Sequence, residues 1–239
     1  MISKNIFKII AIFVLGMIGG IFSDQILWPY FVEKPLFSQY RLEQNPIYVT
    51  EIKEISIQEN VALKNAIEKV EKAIIGVKTE TKESEILEGS GLIVASDGLV
   101  VTLAELVPQG SDFSFFVDGK GANFQILKRD LENNLALIKI EEKNLPTVSF
   151  VDLERVGLGE RVFLVGVVFE EGLPQKMVNE GIVKIFDEDF IKTNIFEKDV
   201  LKGSPLFNID GEVLGLNMID KEGKVIAVFV SKIKEFVGF

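Results

Sequence analysis

Two residues apart, Lys202 and Ser204 place an amine beside a hydroxyl. That pairing can make a serine nucleophilic when the lysine is desolvated enough to give up its proton. The alternative reading of Ser204 is a small residue needed for tight packing beside Pro205. A second hydroxyl, Ser90, stands between Gly89 and Gly91 and reads as strand punctuation rather than chemistry. Glu105 and Asp130 would supply the two carboxylates of a glycosidase-like site, but among 36 acidic residues such pairs arise by coincidence. The chain has no histidine and no cysteine, so it lacks the commonest general base, the imidazole and thiolate metal ligands, and any disulfide. Neither a zinc site nor another cofactor is expected.

The elements that would hold these residues are legible in the patterning. At 239 residues and net charge −10, the chain can bury one large all-β domain and carries no basic stripe for a phosphate backbone, which sets nucleic acid aside as a partner. Residues 1–23 contain the apolar run Ile6–Phe22, about the length that crosses a bilayer as a helix. Lys4 and Lys8 precede it and Asp24 follows, which predicts an uncleaved signal anchor with the amino end inside and the rest outside the cytoplasmic membrane. Residues 24–58, with Pro29, Pro35 and Pro46 and no sustained period, are expected to be an extracytoplasmic tether. Val61, Leu63, Ala66, Ile67, Val70 and Ala73 then recur at helical spacing, which predicts a short amphipathic helix. From Ile74 onward short β-type runs alternate with turns. Three Asp-Gly pairs, at Asp97, Asp118 and Asp210, mark hairpins. Phe113, Phe115 and Phe116 read as hairpin and core packing, and a break near Pro146 to Gly159 divides the β region in two.

Five segments in order then carry a family resemblance. EGSGLIVASDGLVVT (Glu88–Thr102), RDLENNLALIKIEEKNLP (Arg129–Pro146), RVGLGERVFLVGVVF (Arg155–Phe169), GIVKIF (Gly181–Phe186) and TNIFEKDVLKGSPLFNIDGEVLGLN (Thr193–Asn217) resemble HtrA/Deg-type trypsin-like serine proteases. The resemblance implies a chymotrypsin-like double β-barrel with its active-site cleft between two six-stranded barrels packed at right angles. The expected boundaries are residues 59–239 for the domain, about 74–148 for the first barrel and about 155–236 for the second. It also predicts that the peptide-binding PDZ domain frequent in such proteases is missing after Phe239.

Carried over position by position, the resemblance implies a degenerate triad. The family histidine, in TNNHVV, aligns with Glu105; the aspartate before LAVLKI aligns with Asn134; the serine of GNSGGPL aligns with Lys202. Lys202 as an ammonium has no lone pair for attack, and without an imidazole the mechanism has no base. The oxyanion-loop positions become Val200, Leu201 and Lys202, with a β-branched residue where the family has glycine. If the backbone persists, Lys202 and Glu105 meet across the cleft, and the expectation is an ion pair with Asn134 donating to the carboxylate. The function expected is therefore a membrane-anchored, non-catalytic trypsin-like domain binding a peptide or protein of the cell envelope, alone, as a homo-oligomer, or beside an active paralogue. The alternative is an active endopeptidase using Ser204 with Lys202.

Overall fold

Val-, Ile- and Leu-rich runs stopped by glycine or asparagine turns lay down thirteen strands among the residues that the computed structural model describes, 2–33 and 61–239. The chain separates into two units, Met1–Ser56 and Ile57–Phe239. In the first, helix α1 (Ile2–Phe22) continues as an eleven-residue π-helical stretch, Ser23–Glu33. The span Asn5–Trp28 is long and apolar enough to cross a bilayer. Most of the expected tether, from residue 34 to 58, lies outside the described residues.

The second unit opens with helix α2 over residues 61–70, whose Ala66 and Val70 are buried, as the helical spacing requires. A tighter turn, Glu71–Ala73, feeds the first sheet. That sheet contains β1 (Ile74–Glu80), β2 (Ile86–Ala95), β3 (Leu99–Leu103), β4 (Asp112–Val117), β5 (Lys120–Ala122), β6 (Phe124–Asp130) and β7 (Leu135–Ile140), in the order β5-β4-β1-β2-β3-β7-β6. Instead of six continuous strands there are seven, because the strand that would close the barrel is broken at Asn123. Its first half pairs with β4 and its second with β7. The Asn123 carbonyl accepts from Glu141 N at 3.0 Å, and the Phe115 and Phe124 rings, 4.6 Å apart, fill the bend. Asp118 and Gly119, both at positive φ (47° and 78°), form the two-residue turn between β4 and β5.

The second sheet is a closed barrel. Its strands are β8 (Arg161–Glu170), β9 (Leu173–Phe186), β10 (Phe190–Phe196), β11 (Pro205–Asn208), β12 (Val213–Ile219) and β13 (Lys224–Phe229), ordered β10-β13-β12-β11-β8-β9. A terminal helix, α3 (Val230–Val237), follows. Strand β8 is buried on both faces. Val162 and Leu164 belong to the core of the second barrel, whereas Phe163, Val165 and Val167 belong to the core of the first. One strand thus joins two apolar clusters, and the period-2 alternation of the strand accounts for it.

Candidate functional site

The site is built from three turns. Glu105 sits in the single tight turn Ala104–Leu106 that ends β3. Asn134 closes the loop between β6 and β7 with φ +53°, a conformation that asparagine tolerates better than most residues. Lys202 follows the tight turn Asp199–Leu201, before β11. Asn134 holds Glu105 from both ends: its Oδ1 accepts from Glu105 N at 2.9 Å, and its Nδ2 donates to Glu105 Oε1 at 2.9 Å. The other carboxylate oxygen, Oε2, accepts from Lys202 Nζ at 3.1 Å. Asp199 Oδ1 lies 3.7 Å from the same ammonium. The side chains of Lys202 and Glu105 are 21% and 39% exposed, so the pair stands partly open to solvent at the cleft.

The pair lies beside a cleft of about 230 Å³ whose walls include Leu87, Glu88, Leu106, Val200 and Lys202. On the far side of Glu105 and Asn134 a second hollow, about 800 Å³, is bounded by Pro108, Arg129 and Leu131. The backbone of the turn is inward-looking. Leu201 N donates to Lys198 O and Lys202 N to Asp199 O, both at 3.0 Å. An oxyanion hole needs such N–H groups converging on one external point, and here the Lys202 N–H is spent inside its own turn.

The remaining residues singled out from sequence fall elsewhere. Ser204 is fully buried; its hydroxyl donates to Leu201 O at 2.7 Å and accepts from Asn217 Nδ2 at 3.1 Å. It faces no solvent, and the Lys202 ammonium is held by Glu105 and Asp199. Asp130 stands apart as a loop former: its carboxylate accepts from Asn133 Nδ2 and from the backbone N–H groups of Asn133 and Glu132. The Asn133 side-chain bond, more than any other contact, holds its carboxyl below the ordinary 3.8.

Ser90 has a role that its glycine neighbours conceal. It is buried inside β2, its N–H donates to Lys202 O at 2.9 Å, and its Oγ accepts from Val167 N of β8 at 2.8 Å. Its carbonyl accepts from Thr102 Oγ1 at 2.6 Å. Ser90 thus ties β2 to both β8 and the Lys202 turn. Gly203 makes the approach feasible: at φ +73° a Cβ there would stand 2.3 Å from Ser90 O. The signal available in sequence was the Gly-Ser-Gly run inside a strand, which marks close backbone approach.

A closed barrel and a broken-strand barrel sharing β8, with a cleft where their turns meet, define the chymotrypsin-like scaffold. The model of the family described as "Trypsin-like peptidase domain" matches residues 89–216, over half of the chain, and the chain belongs to that family. Within it the chain is similar to HtrA/Deg-type proteins. It is 30% identical over 151 residues to a probable periplasmic serine endoprotease, DegP-like, of Halomonas elongata, covering 59% of this chain and 31% of that protein. It is 34% identical over 146 residues to the DegP-like protein of Chlamydia muridarum, covering 57% and 29%. The chain thus spans about a third of the length of these relatives. Among solved structures, the HtrA-type protease AlgW, with a tripeptide, superposes with a TM-score of 0.65 at 22% identity over 74% of this chain and 62% of that one, which shows a shared fold.

Proposed function

We propose that this chain is an HtrA-type protease homologue whose triad has been replaced, and that it binds a peptide or protein in the cleft instead of cleaving it. The observation that carries the reading is the Lys202–Glu105–Asn134 relay, in which the ammonium stands at the nucleophile's aligned position, 3.1 Å from the carboxylate at the base's position. A serine mechanism needs a hydroxyl, a neutral base and an oriented partner for that base. Here the three places hold a cation, an anion and an amide. The Lys202 N–H bound to Asp199 O supports the same reading, since acyl transfer draws most of its acceleration from donors aimed at the developing oxyanion. The serine–lysine alternative would need Ser204 accessible and a neutral lysine beside it, and the buried hydroxyl weighs against it.

In this proposal residues 1–23 anchor the protein, residues 24–58 tether it, and residues 59–239 form the double barrel outside the cytoplasmic membrane. The apolar span Asn5–Trp28 and the periplasmic designation of the relatives support that placement. The full-length protein should neither label with a fluorophosphonate probe nor digest casein. Labelling abolished by Ser204→Ala would overturn the proposal in favour of the alternative. A photo-crosslinking residue at Val200, on the cleft wall, should capture an envelope peptide or protein; absence of any adduct would remove the binding half.

A further inference from the structure

Among the described residues there are three arginines, and two of them, Arg155 and Arg161, pair with carboxylates. Arg129, near the end of β6, is held differently. Its Nε donates to Val107 O at 2.6 Å, and its guanidinium carbon stands 5.8 Å from the centre of the Phe113 ring. It forms no ion pair among the described residues. The neighbouring Asp130 carboxylate is taken by Asn133 and borders a separate hollow, beside Lys232 and Phe236. A guanidinium carries five N–H donors in a rigid fork. With Nε occupied by Val107 O, the four donors on Nη1 and Nη2 have no hydrogen-bond partner among the described residues, and the anchored stem fixes their edge in advance of any ligand.

Arg129 is one wall of the 800 Å³ hollow beyond Glu105 and Asn134. Ala104, Pro108 and Leu131 give that hollow apolar walls, and Leu131 is 81% exposed at its rim. The other charged residue lining it, Glu105, is already matched by Lys202 at 3.1 Å, which leaves the charge of the arginine unbalanced. Apolar walls around one oriented donor fork suit a carboxylate carried on an apolar stem. Glu105 borders both this hollow and the narrower cleft, so a peptide lying in the cleft can turn a side chain into the hollow without ending there. We infer that Arg129 sets the specificity of the hollow: it receives the side-chain carboxylate of an aspartate or glutamate whose apolar neighbour packs on Leu131 and Pro108. The inference rests on the reading that the cleft binds a peptide, and it names which peptides.

The test selects binders to the full-length protein in detergent from a random peptide library. Each peptide is held at both ends within a display protein, so that no free terminus supplies the carboxylate. Selected sequences should carry aspartate or glutamate beside an apolar residue. Replacing that acid by its amide should weaken binding about tenfold or more, the scale of a hydrogen bond to a charged group. With Arg129→Gln the acidic and amide forms should bind equally. That substitution also removes the contacts to Val107 O and Phe113, so Leu131→Glu is the second variant. It alters an exposed side chain and sets a competing carboxylate on the rim, and it should cost acidic peptides about tenfold while sparing the amide form. Binders without acidic preference, or an acid-to-amide ratio unchanged by either variant, would overturn the inference and leave peptide binding standing. No binder at all would remove both.

Discussion

Removing the Lys202 ammonium asks whether the contact across the cleft holds the two barrels or merely decorates them. At 3.1 Å the Coulomb attraction is about 1.3 kcal/mol in bulk water and about 5 kcal/mol at the effective dielectric of 20 suited to protein surfaces. Desolvation and side-chain ordering offset most of this, so exposed pairs measure about 0.2–1 kcal/mol while breaking a buried pair costs about 3–5. With Lys202 at 21% and Glu105 at 39% exposure, the pair lies nearer the first limit, and a coupling of about 1 kcal/mol follows. The measurement is a double-mutant cycle on Ile57–Phe239 with Lys202→Met, Glu105→Gln and the double variant, read by urea denaturation. In Glu105→Gln the Oε1 acceptor that receives Asn134 Nδ2 is kept, so the cycle isolates the charge contact. The corresponding Tm loss for Lys202→Met is about 2–4 °C for a domain of this size. Raising the salt from about 0.05 to about 0.5 M should shrink the coupling, because half the pair is in reach of screening ions. A coupling indistinguishable from zero at low salt would refute the clamp and leave the charges as drift.

On the proposed alignment, introducing Glu105→His, Asn134→Asp and Lys202→Ser together should leave fluorophosphonate labelling undetectable, because the N–H of residue 202 remains bound to Asp199 O and one missing oxyanion donor costs about 10²–10³ in rate. Labelling should emerge when Val200→Gly is added, and labelling with the triple variant alone would refute this account of the turn. Stability should be flat between about pH 5 and 9, since no histidine titrates there. The carboxyls of Asp97 (hydrogen-bonded by Lys139), Asp130 (by Asn133) and Asp187 (by the Phe190 N–H) are held below their ordinary 3.8. Their contribution is present above that value and lost as pH falls through the depressed folded values. Lys232, raised above 10.5 by Asp189, contributes fully below 10.5 and fades as pH rises past it. A step in the denaturation midpoint near pH 6.5 would contradict this.

What could be read from the letters was whatever local chemistry dictates. The Asp118-Gly119 turn follows from φ preference, and the helix over 61–70 from the spacing of Ala66 and Val70. The expected meeting of Lys202 and Glu105 across the cleft is seen at 3.1 Å, with Asn134 donating to the carboxylate. The bend at Asn123 was hidden, since Ala122–Asp130 reads as one strand and only the competing partners β4 and β7 split it. The helical closure of the Asp199–Leu201 turn was hidden too: β-branching at Val200 argued against one backbone geometry without naming the one adopted. Nor does any periodicity reveal that the Ser90 hydroxyl reaches Val167 N, a contact made across 77 residues of sequence.

On the proposed reading, in which the trio stands in place of a triad, those long-range contacts let it change while the scaffold held. The joint between the barrels is made by Ser90, whose N–H donates to Lys202 O and whose hydroxyl accepts from Val167 N of β8, while Ser204 and Asn217 brace the Lys202 turn inside the second barrel. None of these bonds involves the side chain of residue 105, 134 or 202. Substituting the trio therefore leaves these buried donors satisfied, and the one buried side-chain atom without a partner among the described residues, the Asn217 Oδ1 acceptor, is not touched by it. The three side chains satisfy one another in a half-exposed cleft, a cation, an anion and an amide joined by three hydrogen bonds. The same reasoning sets the order of fragility. Ser90→Ala would strand the Val167 N–H inside the joint, at about 1–3 kcal/mol for an unsatisfied buried donor, a larger loss than the ~1 kcal/mol expected from the ion pair. On the proposed reading, the cleft residues were therefore free to be replaced, and the serine that matters most to the fold is one that the catalytic alignment never points to.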